Sequence, residues 1–587
     1  MRLFYALSLA ALLLAYRVYA FEGYYGWDDM AYAEYAAQWI QGRLSLSDTS
    51  HFVYRWGIIA PLAFFYRLGG INDITTTLPP MLATLGCLGL IYRLTRRADD
   101  YTAAAAMCLF MLDYYTLFYA IRPYADVMLT FFSLSLLTVM LPIAAGTSRN
   151  TKTAATLRAL AAVLCLMLGW FSKETILFWL PLLFIWCLYD VWRQRNGMFW
   201  AIFVLGNIVW LIAYFTAIHF ITGSWSYRFD RIAANYYFNA CSYHLLPASV
   251  LWHRLTTGVV ELLVSNGMFI ALMWAWIPLY EMRVVRSTIV VRQQNLIDNS
   301  NSTSDGFKTI PILGVILFLT FHFMSISYHH YIPLCLDGRH FLPLVPVGAL
   351  AAAPVLGAFL RTGAHAWAVC TTTIAVAIIA LLVNGRQAMT FVYLLLVVWA
   401  ILRSIAANRQ DWVGHLAKRV KCQFFDQKKT ALWHSGNYTP FFFLCLLTVL
   451  LAIHPVFVML RPTATGYAVQ TELVFRHLLQ PDNEARQLVI CDDMNENIGK
   501  YYTRFIPEST TAFINYADYC PDMLREGKFE RLFVWCNDYN NRYMRNIGLP
   551  PADYMVQPLS IFETLADSNG IRLYRVMIPT DTMVCDK

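Results

Sequence analysis

The chain has 587 residues, of which 58% are hydrophobic and only 14% charged. A water-soluble domain carries about 25% charged residues, so this composition excludes an ordinary soluble enzyme and points to lipid as solvent. The net charge of +8 is no sign of nucleic acid, because Lys and Arg lie mostly in short loops between apolar runs, where they orient a chain in a bilayer.

Residues 3–20 read as a first apolar helix. Val18-Tyr19-Ala20 also meets the small-residue rule for signal cleavage, but a retained helix is the simpler reading of a chain with many later spans. A polar loop follows over residues 21–56. Trp56 to Tyr66 is apolar but too short to span and contains Pro61, so it is expected to be interfacial or re-entrant. Further spans are expected near 76–92, 102–119, 124–143, 156–171, 175–192, 199–221, 257–280, 310–330, 341–360, 366–383, 388–403 and 439–460.

With these spans, about thirteen in all, and the N-terminus in the cytoplasm, every strongly basic loop falls on the cytoplasmic side, as the positive-inside rule requires. Those loops hold Arg93, Arg96 and Arg97, then Arg149, Lys152 and Arg158, then Arg193 and Arg195, then Arg283 to Lys308, and the longest runs from Arg403 to Asn437. The loop 21–56 and everything after the last span then face the exterior. Residues 463–587 change to mixed polarity, and the strand-like runs Leu488 to Cys491, Ala512 to Ile514, Leu532 to Cys536 and Ile571 to Val576 alternate with helical patterns. The expected fold is an all-α polytopic membrane protein with a C-terminal soluble α/β domain.

Cysteine carries little information. Six cysteines (Cys87, Cys108, Cys165, Cys187, Cys370, Cys445) lie in apolar runs as small hydrophobes, and no pair has metal-ligand spacing. A disulfide among Cys491, Cys520, Cys536 and Cys585 is left open.

The charges near the membrane are more telling, since each ionisable group inside a span costs about 2.5–3.5 kcal/mol near the centre. Asp28 and Asp29 follow the first span, and Arg55 ends the same loop. Arg122 and Asp126 sit between spans three and four, Lys173 and Glu174 between five and six, and Asp337, Arg339 and His340 before the tenth. Each alone has an ordinary reading. Arg and Lys anchor helix ends, Asp28 suits a helix cap, Lys173 and Glu174 neutralise one another, and His322, His329 and His330 suit interfacial packing. As a set they share one face on which basic residues are normally depleted. Such cations beside a carboxylate pair suit an anionic head group whose lipid tail lies between helices.

The run Gly26-Trp27-Asp28-Asp29-Met30-Ala31-Tyr32-Ala33-Glu34-Tyr35-Ala36 resembles the first-loop motif of GT-C glycosyltransferases of the protein O-mannosyltransferase and aminoarabinose transferase superfamily. Four more stretches are similar and come in family order: Tyr54-Arg55 before Pro61-Leu62, Ala120-Ile121-Arg122-Pro123-Tyr124, Gly169-Trp170-Phe171-Ser172-Lys173, and Gly338-Arg339-His340-Phe341-Leu342-Pro343. The resemblance covers the transmembrane region, 1–462. It implies an inverting transferase of the plasma (inner) membrane that uses a polyprenyl-phosphate-linked sugar, with acceptor unspecified and a divalent metal allowed. It makes Asp28 the general base and Asp29 the stand-in, one methylene shorter, for the family's Glu. Arg55, Arg122, Lys173 and Arg339, with His340, would hold the donor phosphate. Two adjacent carboxylates are expected to raise one another's pKa. Rival readings are a polytopic transporter, which would place its charges at mid-membrane, and a non-catalytic protein that binds polyprenyl lipid.

Overall fold

The computed structural model describes residues 1–587 except 48–49, 97, 145–151, 235–240, 280–303, 328, 385–387, 421–437, 461–475, 480–484, 508, 520–528, 538–561, 569–570 and 577–587. Among the described residues, 9 helices are long and apolar enough to cross a membrane. Two further pairs, Asp100–Met111 with Tyr114–Ala120 and Ala248–Ser265 with Phe269–Leu279, would each make one span but bend by 62° and 106°. The first bend has a local cause: the Asp113 carboxylate accepts the Thr116 amide at 2.8 Å and starts a new helix there. The shorter apolar helices Ala125–Leu141 and Thr309–Phe323 fill the remaining expected positions. Each expected span therefore holds a helix, although the one expected at 310–330 stops at Phe323, and the chain is a multi-pass membrane protein.

The first helix, Arg2–Tyr19, buries Tyr5, Leu9, Leu13 and Tyr16, a stripe at helical spacing, in the bundle core. The segment after the polar loop is helical over Trp56–Gly69, 14 residues, short of a span. Another expectation fails further along the chain. The span expected to end at Arg403 continues as a 33-residue helix, Ala388–Val420. No proline interrupts residues 404–420. Arg403, fully buried, donates from Nε and Nη2 to the Leu360 carbonyl at 2.9 and 2.7 Å. Carbonyls at a helix end are unpaired and carry the negative end of the dipole, so a guanidinium is held there without a carboxylate. The rest of that basic loop, and the loop from Arg283, lie outside the described residues for the most part.

The C-terminal sheet has five strands, β1 (Gln487–Cys491), β2 (Thr511–Asn515), β3 (Arg531–Asn537), β4 (Phe562–Ser568) and β5 (Ile571–Val576), in the order β2-β1-β3-β5-β4. β2, β1 and β3 run parallel, while β5 is antiparallel to both β3 and β4. β1, buried at all five positions, is covered on both faces, as parallel strands usually are. β4 escaped the sequence pattern because Glu563, Asp567 and Ser568 make it polar, which suits an edge. Cys491 and Cys536 are buried thiols outside any disulfide, and Cys520 and Cys585 lie outside the described residues. The disulfide found is one that sequence reading passed over, Cys241–Cys335. It ties the segment after the Gly197–Thr222 helix to the residues just before Gly338.

Candidate active site

The loop that leads into Asp28 turns on Gly23 and Gly26, with φ of 90° and 82°, a region open mainly to glycine. The helix Asp28–Ile40 then begins without a capping side chain from Trp27. Its first turn is organised by Asp29 instead. The Asp29 carboxylate accepts the backbone N–H groups of Tyr25 at 2.6 Å and of Trp27 and Met30 at 3.0 Å each. Asp29 is 0% exposed, its carboxylate turned toward the amides of its own loop. Asp28, 20% exposed, points the other way and accepts from Arg339 Nη1 at 2.8 Å.

The two carboxyls therefore titrate apart. Burial pushes Asp29 up to about 6, against the pull of its backbone donors, and the Asp28 charge adds the least. Burial also opposes the Asp28 charge, but Arg339, Arg55 and Lys173 together outweigh it and hold that carboxyl below its usual range. The net effect at Asp28 is thus the opposite of the expected elevation, because the surrounding cations outweigh what raises it.

Three expected elements join this point. The short helical turn Gly338–Phe341 carries Arg339, which also pairs through Nε with Asp337 at 3.0 Å, and His340. Burial, then the charge of Lys173, pushes the His340 imidazole down, so its Nδ1 accepts from Lys173 Nζ at 2.9 Å. Lys173 Nζ also donates to Asp126 at 2.6 Å. Arg55 donates to the Tyr32 hydroxyl and pairs with Glu174 at 3.4 Å. The approach of Arg55 to the Lys173–Glu174 turn is allowed by Gly57, where a Cβ would sit 2.1 Å from Ser172 Oγ. Lys173 and Glu174 do not neutralise one another. Each is taken by a different partner.

Arg122 stands apart on the Asp29 side of the loop. It lies 3.9 Å over the Phe118 ring and donates to the Phe118 carbonyl at 3.1 Å. Among the described residues no carboxylate lies within ion-pair distance of it. Sequence reading did not single out Arg228, which is fully buried, pairs with Glu174 at 2.7 Å and stacks 4.3 Å from the Trp170 ring. A basic residue on a face where such residues are scarce was the signal available. His51 is also buried in this cluster, and burial, then Arg55, pushes it down to about 3, so it stays neutral. Of the other histidines, His322 binds the Leu255 carbonyl and His330 stacks on His244. Among the described residues no group of three or more His, Cys, Asp or Glu is placed to hold a metal ion.

No protein-family profile and no curated protein matches the chain. Solved structures do. The crystal structure of ArnT from Cupriavidus metallidurans in the apo state aligns over 97% of each chain with a TM-score of 0.51, at 13% identity. This chain has the ArnT fold. It is the GT-C architecture that the motifs resemble. A structure of the same ArnT bound to undecaprenyl phosphate gives 0.48 at 12% identity, again over 97% of each chain. In this ArnT-like arrangement the acidic loop, the Arg55 turn, the Lys173 turn and the Arg339 turn meet at one end of the bundle. That is the end bearing the C-terminal sheet.

Proposed function

We propose that the protein is a membrane glycosyltransferase that moves a sugar from a polyprenyl-phosphate donor to an acceptor hydroxyl with inversion at the anomeric carbon. One observation carries this reading: Asp28, the partly exposed carboxylate, lies against Arg339 and within the field of Arg55 and Lys173. As the acceptor oxygen bonds to the anomeric carbon, its proton passes to Asp28. The bond from that carbon to the donor phosphate breaks, and its electron pair stays on the phosphate oxygen. Arg339, Arg55 and Lys173 would hold that growing charge, and a phosphate arriving at Arg339 competes with Asp28 for it. Because the depressed Asp28 carboxyl is ionised at neutral pH, it is ready to accept the proton. The leaving group is a phosphate monoester whose second pKa is about 6, a good leaving group, so no second carboxylic acid has to protonate it. Asp29 acts in this reading by shaping the loop, and Arg122 by supporting the same loop from its far side. The balance of loop charges supports a cytoplasmic N-terminus, residues 1–462 as the catalytic bundle, and a C-terminal domain, 463–587, outside the plasma membrane.

The test is an assay of purified protein against a panel of polyprenyl-phosphate sugars, with wild type and Asp28→Asn compared on whichever donor reacts. Loss of a general base costs about 10²–10⁴-fold, so transfer should fall by that much while undecaprenyl phosphate still binds. Unchanged transfer in Asp28→Asn removes Asp28 from the mechanism.

A further inference from the structure

The loop that ends in Asp28 is gripped by the C-terminal domain. Between β1 and β2 runs a 10-residue helix, Asp493–Tyr502. It starts on Asp492, which is buried and accepts the amides of Met494 and Asn495 at 3.0 Å each. Asn497, one turn in, donates from Nδ2 to the Gly26 carbonyl at 2.8 Å. The two backbones meet so closely here that a Cβ on Gly26 would lie 2.2 Å from the Met494 carbonyl oxygen.

Further contacts flank this one. The Tyr501 hydroxyl lies 2.7 Å from Thr76 Oγ1, 3.3 Å from the Tyr24 hydroxyl and 3.3 Å from Asp73 Oδ1. The Tyr24 and Tyr501 rings meet edge to face at 5.0 Å. Beyond the far end of the Asp28–Ile40 helix, Arg43 donates to the Phe505 carbonyl at 2.9 Å and Gln41 to the Arg504 carbonyl at 3.3 Å. One helix and the turn after it therefore hold both ends of the segment 24–43.

We propose that this helix is a positioning element for the transfer reaction, and that Asn497 is the positioning residue within it. By fixing the Gly26 carbonyl, Asn497 fixes the turn whose amides bind Asp29, and so the direction in which Asp28 leaves the loop. A loop turning on two glycines has little stiffness of its own. A reacting group displaced by about 1 Å loses on the order of 10²-fold in rate. A domain acting as a mere tether needs no side-chain donor on the carbonyl two residues before the base. The proposal rests on the reading of Asp28 as general base.

The test compares wild type, Asn497→Leu, which keeps the size but removes the donor, and Asn497→Gln, which restores one, on the full-length protein and the donor found above. Asn497→Leu is expected to lower kcat by about tenfold or more, with KM for the donor and binding of undecaprenyl phosphate unchanged and with Asn497→Gln partly restored. An unchanged kcat, or a raised KM at unchanged kcat, overturns the proposal. Should Asn497→Leu fail to fold, Tyr501→Phe decides: it keeps the ring but drops the hydroxyl contacts, and it should lower kcat several-fold at constant KM. An unchanged kcat there is equally fatal. Asp28→Asn run alongside separates the two claims, since an active Asp28→Asn sinks the base assignment itself, whereas an inactive one beside a fully active Asn497→Leu sinks only the role of the helix.

Discussion

Arginines at the two ends of the Leu344–Thr362 helix keep different company. Just before its start, Arg339 is bound by the carboxylates of Asp28 and Asp337. Near its other end, fully buried Arg403 donates to the Leu360 carbonyl, with no ion-paired carboxylate among the described residues. Arg254, also fully buried, donates to the Leu334 carbonyl at 2.7 Å and meets His322 Nδ1 at 3.3 Å, with no ion-paired carboxylate among the described residues. Burial of a cation therefore marks a constraint but not a chemistry. A carbonyl partner is part of the backbone and cannot leave, so Arg403 fastens a helix end. Carboxylate partners on separate turns can be exchanged for another anion, and that is what a phosphate site needs.

The largest effect that would test this contrast pairs Arg339→Ala with Arg403→Ala. Loss of Arg339 should reduce transfer by about 10²–10³-fold. It also removes the chief cation that outweighs burial at Asp28, so the acidic limb of the pH–rate profile should move to higher pH. Arg403→Ala should lower the thermal midpoint and leave transfer per folded molecule intact. Equal losses per folded molecule would erase the distinction. A step smaller, Glu174→Gln leaves Arg55 and Arg228 buried without their shared counter-charge, and a loss of about 3 kcal/mol is expected in denaturant unfolding. A midpoint unmoved by the change would mean that other partners carry these arginines.

The smallest effect concerns Asp29. Its carboxyl is pushed up to about 6, chiefly by burial, so the folded protein holds that proton more tightly than the unfolded chain does. The stabilisation is complete below the ordinary carboxylate range and is lost as pH rises through about 6. Relative to Asp29→Asn, which cannot titrate, wild-type protein should lose stability between about pH 4 and 6. A difference that stays flat over that range would show that Asp29 keeps an ordinary pKa.

Much of the molecule was legible from sequence. Apolar runs such as 199–221 have one low-energy fate in lipid, because every backbone polar group must bond within its own helix, and so the spans fell where expected. Charged turns were legible because charge at the membrane is costly. What escaped were features that depend on a partner far along the chain. Arg228 looked like one residue of a polar loop until Glu174 and Trp170 closed around it. Arg403 looked like the start of a basic loop until the Leu360 carbonyl accepted it. Cys241 and Cys335 are separated by 94 residues, and nothing local joins them. Asp28 and Asp29 both stood as candidate catalytic carboxylates, and only the fold turned Asp29 toward its own backbone and Asp28 toward Arg339.

By itself, then, the order of residues determined a polytopic helical bundle, an α/β domain after it, and a set of charged turns on one membrane face, because hydration and backbone hydrogen bonding act on each segment separately. Tertiary structure alone decided which cation meets which carboxylate, and that the C-terminal domain reaches Gly26. Those pairings depend on distances of a few ångströms between turns hundreds of residues apart, and no local pattern encodes them.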